Sequence, residues 1–278
     1  MTTESIRDLE GKVALVVGGS RNQGAEIALH LAERGATTVI SYKGNEAAAE
    51  ETLRELEKRG VTAEAVRSDA TSSADVDALF EGVVERHGRL DIVVHTPGAV
   101  LKKPLAEFTD EDFDHLINLN TRSAFNTMRA TARTIVDGGR YVVLSTTLTS
   151  IMTGPYGLYS GSKAAVERMV LALAKELGPR GITVNAVAPG PIDDDFYRNA
   201  ETEDAITAAT HHSPQGRLGR PDDIAPVVGW LVSEQARWVS GGRSNPISHW
   251  AIGAGRRRST GCLPSLRPTG ATSAARWR

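Results

Sequence analysis

Short apolar runs alternate with longer amphipathic stretches from the N-terminus to about residue 240. The first run, Lys12-Val-Ala-Leu-Val-Val17, is apolar on both faces, which is typical of a central parallel strand. A stretch with apolar residues three or four positions apart follows it, as on the inner face of a helix. The repetition of this cycle predicts strand–helix–strand units around a parallel sheet.

The pattern predicts six strands and six main helices. The strands are expected at residues 12–17, 38–41, 61–67, 90–95, 140–145 and 182–187. The helices are expected at residues 24–34, 45–58, 74–86, 109–136, 159–177 and 222–233. Right-handed crossovers then predict an α/β fold, a doubly wound Rossmann-type sheet of order 3-2-1-4-5-6 with an added, uncertain seventh strand. No linker divides the chain, so a single domain is expected over residues 1–250.

Composition narrows the class of protein. The chain has 278 residues, 40% of them hydrophobic and 24% charged, and a net charge of −2, which suits a globular protein and does not suggest a nucleic-acid partner. Cys262 is the only cysteine, which excludes an internal disulfide and a cysteine-based zinc site. The sequence has no signal-peptide pattern and no apolar run of about 18 residues, so a cytoplasmic enzyme without membrane contact is expected.

The end of the chain differs from the rest. After Glu234 there are eight arginines but no Asp, Glu or Lys. Residues 251–278 are rich in Gly, Arg, Ser, Thr and Pro without an apolar period, so a basic, disordered tail is predicted. Two origins stay open, a genuine extension or a shifted reading frame near Gly242.

Tyr159 and Lys163 carry the strongest chemical signal. Residues four apart lie on one face of a helix, so the ammonium can approach the phenol. A nearby positive charge favours the ionised phenol and moves its pKa toward use as a general acid or base. The alternative is a pair on a solvated helix face. Thr146 stands at the end of the fifth strand, 13 residues before Tyr159, where open α/β sheets bind ligands.

A glycine-rich turn follows the first strand. Gly18, Gly19 and Gly24 would let backbone amides at a helix N-terminus hold a pyrophosphate, although a tight turn without a ligand would use the same residues. Asn22 is the non-glycine residue type that best tolerates a left-handed backbone.

Several segments together resemble the short-chain dehydrogenase/reductase family, and in particular 3-oxoacyl-carrier-protein reductases, over about residues 8–241. They are Val17-Gly-Gly-Ser-Arg-Asn-Gln-Gly24, Tyr159-Ser-Gly-Ser-Lys163, Asn185-Ala-Val-Ala-Pro-Gly190 and Arg217-Leu-Gly-Arg-Pro-Asp-Asp-Ile-Ala225. The chain departs from the family at Thr146, where Ser is usual, and in His95-Thr-Pro-Gly98, where the family has Asn-Asn-Ala-Gly. We expect the second departure to rearrange cofactor contacts, because Pro97 lacks a backbone donor.

The resemblance implies an oxidoreductase that transfers hydride between nicotinamide and a carbonyl or secondary alcohol. The implied catalytic residues are Asn120, Thr146, Tyr159 and Lys163. Tyr159 would be the general acid or base, Thr146 would orient the substrate oxygen, Lys163 would lower the Tyr159 pKa and bind the ribose, and Asn120 would anchor a water in the proton path. A non-catalytic NADP-binding protein with the same fold is the alternative.

NADP is predicted over NAD. The second strand ends in Ser41-Tyr42-Lys43, without the acid that would bind the ribose hydroxyls of NAD, whereas Arg21 and Lys43 could face the 2′-phosphate of NADP. Asp69 is expected to bind the adenine, or else to cap the next helix. The predicted cofactor-binding residues are Gly18, Ser20, Arg21, Asn22, Gly24, Ser41, Lys43, Asp69, Ala70, Gly98, Tyr159, Lys163, Pro189, Gly190 and Ile192.

The resemblance also implies a substrate lid at about residues 193–216, and a homodimer or homotetramer acting on a small carbonyl or alcohol substrate. Asp194 stands in the lid where the family has Thr. His211 and His212 are expected to be solvated, and no metal site is predicted.

Overall fold

The first predicted strand lies at the centre of a seven-stranded parallel sheet in the computed structural model of the protein, which describes residues 7–151 and 154–244. The sheet order is 3-2-1-4-5-6-7, which confirms the predicted α/β fold. The strands are β1 (Val13–Val17), β2 (Thr37–Tyr42), β3 (Ala63–Arg67), β4 (Ile92–His95), β5 (Arg140–Leu144), β6 (Thr183–Val187) and β7 (Arg243–Ser244). Every residue of β1, β4, β5 and β6 is buried, as expected of parallel strands covered on both faces.

Helices follow the strands, and most of them lie at the predicted places. They are α1 (Asn22–Glu33), α2 (Glu46–Lys58), α3 (Ser73–His87), α4 (Asp110–Leu116), α5 (Ser123–Thr134), α6 (Gly157–Leu177), α7 (Asp195–Arg198), α8 (Glu203–His212) and α9 (Pro221–Val232). Local sequence sets several of their ends. Thr109 and Asp112 form a reciprocal capping box at the start of α4, and Gly88 closes α3 with φ 74°.

The predicted helix over residues 109–136 is interrupted. Between α4 and α5 the backbone forms a π-helical segment, Ile117–Arg122, which buries Asn120 completely. An uninterrupted helix was therefore a wrong prediction. A π-helical segment changes the hydrogen-bond register by one residue without changing the apolar pattern enough to be seen in the sequence.

Two apolar cores lie on opposite faces of the sheet. One packs α3, α5 and α6 against the sheet, with Phe80, Met128 and Val166 among its buried side chains. The other packs α1 and α9 against it, through residues such as Ile27 and Val228. These cores fix the strand ends, and with them the positions of the loops at the carboxyl edge.

The uncertain seventh strand is present but short. Arg243 and Ser244 pair in parallel with Ala186 and Val187 of β6. The lid region contains the two helices α7 and α8, which the sequence pattern did not predict. The tail predicted at residues 251–278 lies outside the described residues. Among the helices of residues 7–151 and 154–244, none is both long and apolar enough to cross a bilayer.

Candidate active site

One cavity of about 770 Å³ opens at the carboxyl edge of the sheet and brings most of the predicted site together. All predicted cofactor-binding residues line it, as do Thr146, Tyr159 and Lys163. Asn120 does not line the cavity and lies fully buried behind it. The cavity therefore joins the glycine turn after β1 to the predicted reacting centre after β5.

The glycine turn has the backbone that its residue types indicate. Gly18 has φ 78° and Asn22 has φ 51°, so asparagine keeps the left-handed turn where the resembled family uses glycine. A Cβ at Gly24 would lie 2.3 Å from the carbonyl oxygen of Gly18, which excludes any larger residue there without a backbone shift. Thr96 Oγ1 lies 2.9 Å and 3.0 Å from the carbonyl oxygens of Val17 and Gly18, so the altered loop after β4 also supports this turn.

The two predicted phosphate-binding cations differ in their surroundings. Lys43 Nζ lies 2.7 Å from Asp69 Oδ2, and Asp69 Oδ1 accepts hydrogen bonds from Thr71 N and Oγ1. Burial alone would raise the pKa of Asp69, but Lys43 and Thr71 outweigh it and hold that pKa below its usual value. Arg21 is exposed at the rim and forms no ion pair within residues 7–151 and 154–244. Arg21 is thus the cation available to a new anion. Ser72, rather than Asp69, caps α3.

Thr146, Tyr159 and Lys163 meet at the centre of the cavity. Tyr159 and Lys163 are buried on the inner face of α6, with 6% and 4% of their surface exposed, as the four-residue spacing predicted. Thr146 follows β5, and its side chain lies near enough to Tyr159 to lower the pKa of the phenol. A carbonyl oxygen placed here would have two hydroxyl groups close to it.

Burial, and not the charge of Lys163, has the largest effect on the pKa of Tyr159, so the predicted lowering of this pKa by Lys163 stays a prediction. Burial raises the pKa of Tyr159 to about 12, Thr146 opposes this and the Asp194 carboxylate adds to it. Burial lowers the pKa of Lys163 to about 8. Lys163 Nζ donates to the carbonyl oxygens of Leu144 (3.0 Å) and Pro97 (3.4 Å). The sequence spacing placed both side chains on one face but could not show that backbone carbonyls receive the ammonium.

Asn120 holds the loop after β4 rather than offering a free side chain to water. Its Oδ1 accepts from Ala99 N at 2.8 Å, and its Nδ2 donates to Ala99 O and Ser162 Oγ, both at 2.9 Å. Both amide hydrogens are therefore used within the protein. The prediction that Asn120 anchors a water stays a prediction, while its side-chain amide is held by three hydrogen bonds to Ala99 and Ser162.

His95 points away from the cavity into the core. It is fully buried, and its ring nitrogens lie 3.3 Å from Ser123 Oγ and 3.1 Å from Thr127 Oγ1. Burial, helped by the charge of Lys163, holds the pKa of His95 well below its ordinary value, so the ring is neutral near pH 7. Thr96, Pro97 and Gly98 of the same loop line the cavity.

Gly98 occupies a place where the backbone must come close to its neighbours. A Cβ there would lie 3.0 Å from both Asn120 Oδ1 and Lys163 Nζ. The glycine therefore lets the loop after β4 approach the reacting centre.

Several cavity residues were missed or left open by sequence reasoning. Asp194 is 8% exposed, and its carboxylate accepts from Gln23 Nε2 at 3.2 Å and from Tyr197 N at 3.0 Å. Burial raises the pKa of Asp194. Lys102 and Glu201 line the opposite part of the cavity. These two lie in segments without a motif, so no sequence signal marked them.

The neighbouring histidines of the lid are placed on the exposed side of α8. His211 Nδ1 lies 2.8 Å from Thr207 O, and His212 Nδ1 lies 2.6 Å from Ala208 O. Within the described part of the chain, no group of three or more His, Cys, Asp or Glu side chains is placed to hold a metal ion.

Comparison with known proteins adds to this geometry. A family model described as enoyl-(acyl carrier protein) reductase matches residues 19–244, which include Gly19 and Gly24 of the glycine turn as well as Thr146, Tyr159 and Lys163. The chain belongs to the short-chain dehydrogenase/reductase family. The predicted family and the predicted class of enzyme, an oxidoreductase of this family, are confirmed.

Curated relatives and solved structures agree with this assignment. The chain is 40% identical to a hydroxynaphthalene reductase of Aspergillus fumigatus in a 245-residue alignment that covers 84% of this chain and 90% of the relative. It is 38% identical to a short-chain type dehydrogenase/reductase of Picea abies, covering 84% of this chain and 89% of the relative. A Burkholderia cenocepacia dehydrogenase solved with bound NADP matches with a TM-score of 0.83 and 35% identity, over 87% of this chain and 94% of that one.

Proposed function

We propose that this short-chain dehydrogenase/reductase is an NADPH-dependent reductase of small carbonyl compounds, and that Tyr159 is its general acid. The observation that carries the proposal is the meeting of Thr146, Tyr159 and Lys163 in the same cavity as the glycine turn. A fold alone would not support an activity, but this set of groups at one strand edge does.

The residues present fit a dinucleotide phosphate. The cavity extends over the glycine turn at the N-terminus of α1, where backbone amides and the helix dipole favour an anion such as a pyrophosphate. Exposed Arg21 fits a 2′-phosphate, and Ser41 at the end of β2 is not an acid. A second Burkholderia cenocepacia structure in complex with NADP matches with a TM-score of 0.81 and 34% identity, over 86% of this chain and 97% of that one, which supports the same choice. When bound, the reduced cofactor supplies a hydride.

The protein supplies the proton and the orientation. Thr146 Oγ1 donates a hydrogen bond to the substrate carbonyl oxygen, and Tyr159 transfers its phenolic proton to that oxygen as hydride reaches the carbon. With the hydride and this proton the substrate carbonyl would become an alcohol. With a pKa of about 12 the phenol stays protonated at neutral pH, which suits a general acid in the reducing direction. Lys163, which lines the same cavity, would bind the ribose hydroxyls of the cofactor.

Steady-state oxidation of NADPH with a panel of ketones and quinones tests the proposal. We expect turnover by the unaltered chain and a loss of at least about a thousandfold in kcat for Tyr159→Phe, with the Kd for NADPH changed less than about threefold. Turnover by Tyr159→Phe equal to that of the unaltered chain would contradict the assigned role. NADPH binding without turnover of any carbonyl would favour the alternative, a non-catalytic NADP-binding protein. A homo-oligomer and a cytoplasmic location stay predictions.

A further inference from the structure

Arg243, the first residue of β7, extends its side chain to the turn that follows β5. Its Nη2 donates to the carbonyl oxygen of Thr146 at 2.9 Å, and its Nη1 donates to Ser150 Oγ. Its Nε lies 2.9 Å from Glu167 Oε1, in an ion pair whose side chains are 21% and 19% exposed. One guanidinium is therefore shared between the turn after β5 and α6.

The pairing of β7 with the sheet does not use this side chain. Ala186 N donates to Gly242 O at 3.0 Å, and Ala188 N donates to Ser244 O at 2.8 Å. Both hydrogen bonds join backbone groups, as in any parallel ladder. The contacts of the Arg243 guanidinium therefore need an explanation other than strand pairing.

The turn after β5 is closed on the carbonyl oxygen of Thr146. This oxygen accepts from Thr149 Oγ1 at 2.9 Å and from Arg243, and the Arg243 donor carries a charge. Hydrogen bonds from charged donors are about twice as strong as those between neutral groups. In the same turn Leu148 N donates to Thr146 Oγ1 at 3.3 Å, which leaves the hydroxyl hydrogen for another acceptor. The contacts at the carbonyl and at the hydroxyl together set the direction of the Thr146 side chain.

The counter-charge of Arg243 comes from the helix that carries the general acid. Glu167 lies about two turns after Tyr159 on α6. Its Oε1 also accepts from Ser145 Oγ at 2.6 Å. The carboxylate thus holds the guanidinium in a fixed place relative to α6 and to the end of β5.

We propose that Arg243 is a positioning residue of the reacting centre, which holds the carbonyl of Thr146 and so directs the Thr146 hydroxyl toward the substrate oxygen. Arg243 is not among the residues that line the cavity, so it acts through Thr146 rather than on substrate or cofactor. The inference rests on the proposed reductase function and adds a residue to it.

The competing explanation is that Arg243 only stabilises the fold. Loss of a purely structural residue would lower the free energy of unfolding and leave the chemical step of the folded enzyme unchanged. Loss of a positioning residue would slow hydride transfer, and it would do so only while the Thr146 hydroxyl is present. A double-mutant cycle with Thr146 separates the two explanations.

The experiment measures the rate constant of hydride transfer from NADPH in a single turnover, with the ketone that the unaltered chain reduces fastest. We expect Arg243→Met to lower this rate constant by about tenfold or more and to change the Kd for NADPH by less than about threefold. In a Thr146→Ala background, Arg243→Met should lower it by less than about twofold, because no hydroxyl remains to be directed. Arg243→Lys keeps the charge but not the three-nitrogen fork, and should retain only part of the rate.

Arg237→Met is the matched control. Arg237 precedes β7, is 67% exposed and pairs with Glu234, so its loss should leave the rate constant within about twofold. An Arg243→Met variant with an unchanged rate, or with the same loss in the presence and absence of the Thr146 hydroxyl, would overturn the inference. If the Arg243 variants do not fold, Glu167→Gln, which removes the counter-charge of Arg243, takes their place in the cycle and is judged by the same outcomes.

Failure of the proposed function gives a different result from failure of this inference. If the unaltered chain reduces ketones but the cycle shows no coupling, the reductase assignment stands and the role of Arg243 is refuted. If no carbonyl is reduced, the carbon-13 resonance of Tyr159 Cζ, assigned with Tyr159→Phe, decides the matter, because the Thr146 side chain lies near this phenol. Thr146→Ala and Arg243→Met should then shift the resonance in the same direction, whereas Arg237→Met should not shift it. A resonance that Arg243→Met leaves in place would refute the role of Arg243.

Discussion

Glu167 Oε1 accepts a hydrogen bond from Ser145 Oγ at 2.6 Å, which ties α6 to the end of β5. The same oxygen accepts from Thr149 Oγ1 at 2.8 Å and lies 2.9 Å from Arg243 Nε. Arg243 Nη2 in turn donates to the carbonyl oxygen of Thr146 at 2.9 Å. The helix that carries Tyr159 and the segment that carries Thr146 are therefore joined by one carboxylate.

Loss of this carboxylate should loosen the site and the fold together. We expect Glu167→Ala to lower the free energy of unfolding by about 1–3 kcal/mol, because Ser145 loses its hydrogen-bond acceptor and Arg243 loses its counter-charge. We expect kcat to fall while the Kd for NADPH stays nearly constant. Denaturant unfolding and steady-state kinetics measure both. Glu167→Gln keeps an acceptor oxygen and should therefore lose less unfolding free energy and less kcat than Glu167→Ala. Equal losses in the two variants would argue against a role of the Glu167 carboxylate in joining α6 to the Thr146 segment.

Asn120 should prove to be chiefly a support of the loop after β4. We expect Asn120→Ala to cost about 2–3 kcal/mol of unfolding free energy, because the N–H and C=O groups of half-buried Ala99 and the hydroxyl of buried Ser162 all lose a partner. Asn118→Ala is the matched control. Asn118 accepts one exposed hydrogen bond from Arg122, so its loss should cost less than about 0.5 kcal/mol. Urea unfolding of the two variants tests the contrast, and similar costs would contradict it.

His95 should make the protein sensitive to acid. Its folded pKa lies well below 6.5, so at pH values under 6.5 the unfolded chain binds a proton that the folded chain does not. This contribution to stability is complete above about pH 6.5 and decreases as the pH falls, by up to about 1.4 kcal/mol per pH unit.

His95→Asn should therefore lose less unfolding free energy than the unaltered chain between pH 7 and pH 5, even if it is less stable at pH 7. Chemical denaturation at several pH values measures the unfolding free energy of each variant and its slope against pH. His115→Asn, at an exposed position on α4, should keep the slope of the unaltered chain. Parallel slopes for the unaltered chain and His95→Asn would show that His95 is not the responsible group.

Cofactor choice should depend more on Arg21 than on Lys43. Arg21 has no ion-pair partner within the described residues, whereas Lys43 already neutralises Asp69. We expect Arg21→Ala to raise the Kd for NADPH by about tenfold or more and to leave the Kd for NADH nearly unchanged. Lys43→Ala should change the ratio of the Kd for NADPH to the Kd for NADH less than Arg21→Ala does. Fluorescence titration with both dinucleotides checks this order, and a larger effect of Lys43→Ala would reverse the assignment.

The sequence alone determined the fold and the centre of the site. Apolar strands such as residues 12–17, alternating with amphipathic helices, allow few topologies other than a doubly wound sheet, because each element must bury its apolar face. The four-residue spacing placed Tyr159 and Lys163 on the same helix face, and the strand pattern placed Thr146 at the end of the fifth strand. These features depend on local periodicity, which a sequence carries directly.

Only the tertiary structure decided how these groups are surrounded. Burial raises the pKa of Tyr159 and lowers that of Lys163, and it depends on layers contributed by distant segments. The Asn120 contacts with Ala99 and the Glu201 contact with Lys102 join different segments of the chain, and Ala99, Lys102 and Glu201 lie in loops without periodicity. Such contacts follow from the packing of the whole domain, so no local pattern could have indicated them.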